Sequence, residues 1–200
     1  MPGSRTCALL VIVSLLGGGL PLAAEQPSAA QMMDDLMYGR GSVGGPFTLT
    51  DQTGKPRSDS DFRGKLMIVY FGYSYCPDVC PTDLMAITQA LDALGPAARD
   101  VQPVFITIDP ERDTKVLADY LSAFHPSFVG LTGSPDEIRT VANAFKAFYV
   151  KVPDQRSGDY SIDHSGVIYL IDRNGEYLGF MPPQTNPDRL TEVLRKHLAN

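Results

Sequence analysis

Residues 65–72 read KLMIVYFG, and this apolar run constrains the fold more than any other stretch of the chain. A continuous run of strand length, rich in β-branched and aromatic residues, is typical of a strand buried on both faces. A second run, Val104–Ile108, has the same character, and each run is followed by a helical pattern. Strands buried on both faces need helices to cover them, so the sequence predicts an α/β domain.

The order of the remaining patterns indicates which α/β fold to expect. A short hairpin is predicted around Phe47–Pro56, and a second, antiparallel hairpin over Val167–Phe180. Helices are predicted over residues 81–94, 113–124, 134–148 and 186–197. Two β-α units, a further helix, a hairpin and a closing helix predict a mixed central sheet flanked by helices. This is a thioredoxin-like layout with an N-terminal β-hairpin extension.

The chain divides into three parts. Residues 1–24 carry one basic residue, Arg5, then an apolar run and a small-residue stretch, which predicts a secretory signal peptide or, if it is retained, an N-terminal membrane anchor. Residues 25–45 contain four glycines and no sustained periodicity, so we expect a flexible linker. Residues 46–200 form the predicted domain. We therefore expect an exported protein, periplasmic or held at the membrane facing the periplasm.

The charge balance excludes one large class of function. The formal net charge is −6, and lysines and arginines do not cluster anywhere in the sequence. Nucleic acids are bound by neutralising their phosphates with basic side chains, so a nucleic-acid partner is not expected.

Two cysteines carry the predicted chemistry. Cys76 and Cys80 follow the first buried strand and directly precede a helix, whose N-terminus favours the thiolate form. A disulfide across three intervening residues closes a very small loop and contributes little stability. Redox pairs of the thioredoxin type have two intervening residues, so this wider spacing favours chelation of a metal without forbidding a disulfide.

We expect His164 to be the third member of this site. It lies immediately before the predicted strand that begins near Val167, and this part of a thioredoxin-like fold approaches the cysteine loop. Two thiolates and one imidazole suit Cu(I), which prefers soft sulfur ligands and low coordination numbers. Zinc requires a fourth ligand, for which Asp78 and Asp163 are available, and copper is favoured over zinc.

At this point the sequence resembles the Sco/SenC family, copper-binding proteins that take part in assembling cytochrome c oxidase. The resemblance covers roughly residues 44–198. It is carried by FGYSYCPDVCPTDL at 71–84, TIDPERDT at 107–114, FVGLTGS at 128–134 and DHS at 163–165.

The resemblance implies a thioredoxin-like fold with Cys76, Cys80 and His164 as ligands of Cu(I) or Cu(II). It also implies a copper chaperone, which would receive copper from other copper chaperones and deliver it to the cytochrome c oxidase subunit that carries the dinuclear copper centre. Family members are often tethered to a membrane through the N-terminus.

Two other functions remain open. In the first, Cys76 and Cys80 act as a redox pair of a thiol-disulfide oxidoreductase that reduces the cysteines of the copper-receiving subunit, which does not require His164. In the second, the CPTD at 80–83 resembles the sequence around the reactive cysteine of peroxiredoxins. Pro77 stands where those enzymes have a hydroxyl, so this hypothesis ranks below the others.

Several polar residues have simpler interpretations. His125 and His197 are expected to be surface histidines near helix ends. The acidic segment Asp109–Asp113 is interpreted as the solvated start of a helix, with docking of a partner as the alternative.

Overall fold

The computed structural model describes residues 28–38, 42–154 and 158–199, together with Met1. The helices are α1 (Ala29–Tyr38), α2 (Val79–Leu94), α3 (Pro110–Asp113), α4 (Leu117–Ser122), α5 (Pro135–Ala144) and α6 (Pro187–Leu198). The strands are β1 (Thr48–Asp51), β2 (Pro56–Ser58), β3 (Leu66–Gly72), β4 (Val101–Thr107), β5 (Val129–Thr132), β6 (Tyr149–Pro153), β7 (Tyr160–His164), β8 (Ile168–Ile171) and β9 (Tyr177–Met181).

The main sheet has seven strands in the order β2-β1-β5-β4-β3-β8-β9. All seven residues of β3 are buried, as its apolar run predicts. β3 pairs in parallel with β4 and antiparallel with β8. The predicted α/β thioredoxin-like fold with a mixed central sheet is confirmed, and β1 and β2 form the predicted N-terminal hairpin.

Helix starts follow the local sequence closely. At α5, Ser134 Oγ accepts a hydrogen bond from the Glu137 N–H, and the Glu137 carboxylate accepts one from the Ser134 N–H. At α6, the Asn186 side chain accepts hydrogen bonds from the N–H groups of Asp188 and Arg189. These caps bind N–H groups that have no partner within the helix, so both helices begin where the sequence predicts.

The predicted linker 25–45 is wrong in one respect, because it contains α1. Met32 and Leu36 of this helix are 5% and 4% exposed, and Leu36 belongs to the hydrophobic core. The two side chains are four residues apart and therefore lie on one helical face. A ten-residue helix with one narrow apolar stripe is easily taken for an irregular segment.

Other boundaries also differ from the prediction. The helix predicted over 113–124 is shorter in the structure, where it is α4, residues 117–122, and a separate four-residue helix, α3, ends at residue 113. The Thr114 hydroxyl donates to the Pro110 carbonyl, and the chain turns before α4 begins. α5 ends at Ala144 because Lys146 has a φ of 58°, which a continuing helix does not allow. β6 and β7 pair as a separate antiparallel ribbon that was not predicted.

The predicted leader, residues 1–24, lies outside the described residues apart from Met1. Among the residues that the structure describes, no helix is long and apolar enough to cross a bilayer.

Candidate metal centre

Cys76 and Cys80 lie on the segment that joins β3 to α2. We call residues 73–80 the cysteine arm. α2 begins at Val79, so Cys80 belongs to its first turn and is completely buried, whereas Cys76 precedes the helix and is half-buried. The helix starts two residues earlier than the sequence predicts. The two additional residues place Cys80 inside the helix, where it is buried, and leave Cys76 before it at the surface.

His164 is the last residue of β7, which we call the histidine arm. Its Nε2 atom lies 3.3 Å from the Sγ atom of Cys80. Its Nδ1 atom accepts a hydrogen bond from the Gly166 N–H at 3.2 Å. The edges of Tyr70 and Tyr73 pack against the imidazole, with ring centroids 6.3 and 5.9 Å away. The ring is therefore held on two sides with Nε2 facing the sulfur.

The structure brings all three predicted ligands together. The two Sγ atoms and one imidazole nitrogen lie within 4.8 Å of one another. The group is made of Cys76, Cys80 and His164, and among the described residues it includes neither Asp78 nor Asp163. The donor set is thus two sulfurs and one nitrogen, which suits a soft, low-coordinate metal ion such as Cu(I).

The pKa values of the two thiols are shifted in opposite directions. A hydrogen bond from Cys80 lowers the pKa of Cys76; burial opposes this, and bonds from His164 and the backbone reinforce it. The same hydrogen bond raises the pKa of Cys80, and so do burial and the negative charge of Cys76. Cys76 therefore forms the thiolate more readily than Cys80.

Gly72 makes room for this arrangement at the end of β3. A Cβ atom at this position would lie 3.0 Å from Cys80 Sγ and 2.8 Å from the Tyr70 ring. Real Cβ atoms essentially never approach another atom as closely as 2.8 Å, and a 3.0 Å contact is tighter than nearly all that are found. The absence of a side chain at residue 72 therefore lets the buried sulfur pack directly against the central strand.

Comparison with known proteins identifies the chain. The family model described as SCO1/SenC matches residues 37–199. The chain belongs to the SCO1/SenC family. The match includes both arms and every strand of the main sheet.

Individual SCO1/SenC relatives agree with this assignment. A SCO2-like protein of Rickettsia felis is 39% identical over 201 residues, covering 96% of this chain and 97% of that protein. The structure of Bradyrhizobium japonicum ScoI with copper bound superimposes with a TM-score of 0.72 at 41% identity, covering 78% of this chain and 99% of that one. BsSco, described as a member of the Sco family of cytochrome c oxidase assembly proteins with a disulfide switch, gives a TM-score of 0.63 at 26% identity, covering 78% of this chain and 94% of that one.

One buried residue of this SCO1/SenC site was not predicted from the sequence. Asp83 is completely buried, and its carboxylate accepts hydrogen bonds from the Tyr70 hydroxyl at 3.0 Å and the Gln184 N–H at 2.6 Å. Burial raises its pKa, although both hydrogen bonds act in the opposite direction. Asp83 joins α2 to the loop before α6. The signal available in the sequence was an acidic residue on the apolar side of a predicted helix.

The interpretation of Asp109–Asp113 as a solvated helix start is wrong. Asp109 and Asp113 are both 0% exposed, and the helix that begins after Asp109 and ends at Asp113 has only four residues. A carboxylate is buried only where hydrogen bonds or cations compensate for lost hydration. His125, in contrast, bonds locally to Ser127 and does not belong to the group of predicted ligands.

Proposed function

We propose that this chain is a copper chaperone that binds one Cu(I) ion through Cys76, Cys80 and His164. The cargo is destined for the dinuclear copper centre of cytochrome c oxidase. The observation that carries the proposal is the meeting of two thiols and an imidazole from distant parts of the chain, with Cys80 Sγ 3.3 Å from His164 Nε2. The copper-bound ScoI structure of a relative supports the same conclusion.

The donor set favours copper over zinc. Structural zinc sites are four-coordinate and closed, and the described residues supply three donors in this group. Thiolate sulfur selects Cu(I), and two sulfurs with one imidazole satisfy it without a fourth ligand. The same three donors also accommodate Cu(II), so the site tolerates either oxidation state.

The partial exposure of two of the three donors suits a protein that transfers copper rather than one that stores it. Cys80 is completely buried, but Cys76 and His164 are both half-buried at the surface. A partner's thiolate can therefore approach the metal from the side of Cys76 while Cys80 still holds it. Exchange of ligands one at a time avoids releasing free copper.

Anaerobic titration with Cu(I) against a chelator of known affinity tests the proposal. The wild type should bind one equivalent. Cys76→Ser, Cys80→Ser and His164→Ala should each weaken binding by at least about 100-fold, since a direct ligand matters more than the outer partners that contribute about 10–100-fold. His125→Ala, which removes a histidine outside the group, is the matched control. Equal affinity of the wild type and His164→Ala would overturn the ligand assignment.

A second function is supported by the unequal thiols. Cys76 is the accessible thiolate, and Cys80 lies buried behind it, as in a nucleophile with a resolving partner. The Cys76 thiolate would attack a partner disulfide to form a mixed disulfide and release one partner thiolate. Cys80, once deprotonated, would then displace the second. The chain would end as the Cys76–Cys80 disulfide, and the partner would gain two electrons.

Reaction of the reduced, metal-free chain with a disulfide-bonded peptide that carries the two cysteines of a copper-receiving site tests this second function. Cys80→Ser should trap the mixed disulfide, and His164→Ala should react at a rate close to that of the wild type. A chain that never forms a mixed disulfide would exclude the activity while leaving copper binding intact.

The location and the partner follow from the same proposal. A chaperone for this copper centre works on the exported side of the membrane, and the apolar leader at residues 1–24 supports export. Intact-mass measurement of the exported protein distinguishes a cleaved leader from a retained anchor. Cross-linking through Cys76 should capture the oxidase subunit that receives copper.

A further inference from the structure

The segment Asp109–Asp113 lies beside the metal centre but supplies no ligand. It begins two residues after β4 ends and includes all of α3. Its two aspartates are 0% exposed, so each carboxylate depends on the groups that face it. Those groups come from both arms of the metal centre.

Asp113 holds the cysteine arm. Its carboxylate accepts hydrogen bonds from the Ser74 N–H at 3.0 Å, from the Ser74 hydroxyl at 2.5 Å and from the Thr107 hydroxyl at 2.6 Å. Ser74 is two residues before Cys76, and Thr107 is the last residue of β4. Three hydrogen bonds converge on this one buried carboxyl group, so Asp113 fixes the start of the cysteine arm against the sheet.

Asp109 and Arg112 hold the histidine arm. The Tyr160 hydroxyl donates to Asp109 at 2.8 Å, and Arg112 Nη1 donates to the Tyr160 carbonyl at 3.1 Å. The guanidinium also lies over the Tyr160 ring, 3.8 Å from its centroid, and its Nε atom binds Asp109. Tyr160 is the first residue of the five-residue strand that ends at His164. The backbone of β7 is extended over these five residues. Fixing the position of Tyr160 therefore also fixes the position at which the strand presents His164.

The two arms also touch each other beside this segment. The Tyr73 hydroxyl accepts a hydrogen bond from the Ile162 N–H at 3.2 Å, and the Arg112 guanidinium lies 4.9 Å from the Tyr75 ring centroid. Arg112 therefore stands between the aromatic residues of the cysteine arm and the first residue of the histidine arm.

We propose that Asp109–Asp113 is a clamp that sets the spacing between the two arms, with Arg112 positioning His164 and Asp113 positioning Cys76. The clamp rests on the proposed copper site and explains why two buried carboxylates and an arginine lie next to it. Each residue is expected to affect Cu(I) affinity by a different route. Arg112 acts through the position of His164, whereas Asp113 acts through the position of the cysteines.

Double-mutant cycles that measure Cu(I) affinity test whether Arg112 acts through His164 and Asp113 acts through the cysteines. Arg112→Gln should weaken binding about tenfold in the wild type, within the range for residues that orient ligands, and should have no further effect in His164→Ala. Asp113→Asn should weaken binding in both backgrounds, because one amide oxygen cannot accept three hydrogen bonds. The matched control is Arg189→Gln, since Arg189 forms an exposed ion pair with Glu192 on α6.

Thermal unfolding of each metal-free variant separates positioning from loss of fold. If Arg112→Gln does not fold, Tyr160→Phe replaces it, because this change removes only the hydroxyl that binds Asp109. Ser74→Ala replaces Asp113→Asn for the same reason. Tyr160→Phe should weaken binding severalfold only when His164 is present, and Ser74→Ala should weaken it severalfold with and without His164.

Two results would overturn the clamp. One is a folded Arg112→Gln or Tyr160→Phe chain with wild-type copper affinity. The other is an equal loss for either variant with and without the His164 imidazole, which would indicate general loosening of the fold. A wild type that takes up no Cu(I) would instead contradict the proposed function, so the two failures are distinct.

Discussion

The Sγ atom of Cys80 and the Nε2 atom of His164 lie 3.3 Å apart although 84 residues separate them in the chain. Metal bonds to sulfur and to imidazole nitrogen are about 2.3 and 2.0 Å long, so two such ligands on one metal ion lie about 3.5–3.8 Å apart. The metal-free pair is thus within a few tenths of an ångström of the spacing that a shared ion requires. Metal uptake needs only a small outward adjustment, because the protein has already ordered the ligands.

Copper binding should change the tautomer of His164. In the metal-free structure Nδ1 accepts the Gly166 N–H, so the ring proton of a neutral imidazole is on Nε2, the nitrogen that faces Cys80. A metal bound at Nε2 moves that proton to Nδ1 and removes the hydrogen bond from Gly166. Nitrogen-15 NMR of the imidazole should show the Nε2–H form before anaerobic Cu(I) addition and the Nδ1–H form after it. An unchanged tautomer would contradict coordination through Nε2.

Cys76 should react with alkylating reagents long before Cys80. Its pKa is lowered by the hydrogen bond from Cys80, and it is half-buried, whereas Cys80 is completely buried. Its labelling rate with iodoacetamide should stay nearly constant from pH 8 down to pH 6, because the reactive thiolate persists, while an ordinary thiol slows about 100-fold. Peptide mapping after brief labelling measures both sites. The urea-unfolded chain is the control, where the two cysteines should label alike.

Gly72→Ala should disturb both stability and the metal centre. The added Cβ atom would lie 3.0 Å from Cys80 Sγ and from the Phe105 ring, so the core must shift, at a cost of about 1–3 kcal/mol. Because one of the displaced atoms is the sulfur of a proposed ligand, Cu(I) affinity should fall as well. Gly130→Ala is the matched control: its Cβ would overlap Leu117 and Leu121, neither of which is a proposed ligand. Urea unfolding and copper competition should show a loss of stability in both variants and a loss of affinity in Gly72→Ala alone.

Asp51 should make stability depend on pH in the acid range. Burial acts to raise the pKa of Asp51, but hydrogen bonds from Thr53, Lys55 and Arg57 outweigh it and lower the pKa to about 2. An acid with a lowered pKa in the folded state stabilises that state above its unfolded pKa, and the contribution disappears as the pH falls towards 2.

Asp51→Asn should therefore lower the free energy of unfolding by about 1 kcal/mol at neutral pH. This value allows for screening by solvent, because the hairpin lies at the surface. Urea unfolding at several pH values measures the difference between Asp51→Asn and the wild type. The gap should narrow between pH 4 and pH 2. A gap that stays constant over this range would show that the carboxylate charge does not stabilise the hairpin.

Much of the fold could be predicted because its strongest elements are local in origin. The apolar run at 65–72 is enough by itself to predict a buried strand. The capping residues at Ser134 and Glu137 likewise predict the start of α5 from the local sequence alone. The ribbon of β6 and β7 could not be predicted in this way. Four of the five residues of β6 are exposed, so no buried face imposes alternation on its sequence.

The three candidate ligands could be chosen from residue type and spacing, with the family resemblance deciding His164. The residues that hold these three side chains in place could not be predicted in this way. The roles of Asp83, Asp109 and Asp113 depend on partners between 3 and 101 residues away, and an aspartate beside a helix start has the same sequence signature whether it faces water or a serine hydroxyl. Only the folded arrangement reveals that these carboxylates are buried.

The three proposed ligands come from two distant parts of the chain, residues 76–80 and residue 164. Binding of copper by all three therefore depends on how completely the chain is folded. A chain in which the β6–β7 ribbon is out of place would offer the two thiols without the imidazole, because His164 is the last residue of β7. An ion that binds all three donors therefore favours the complete native state over every partly folded one. Tight copper binding should therefore be confined to chains in which both arms have reached their native positions.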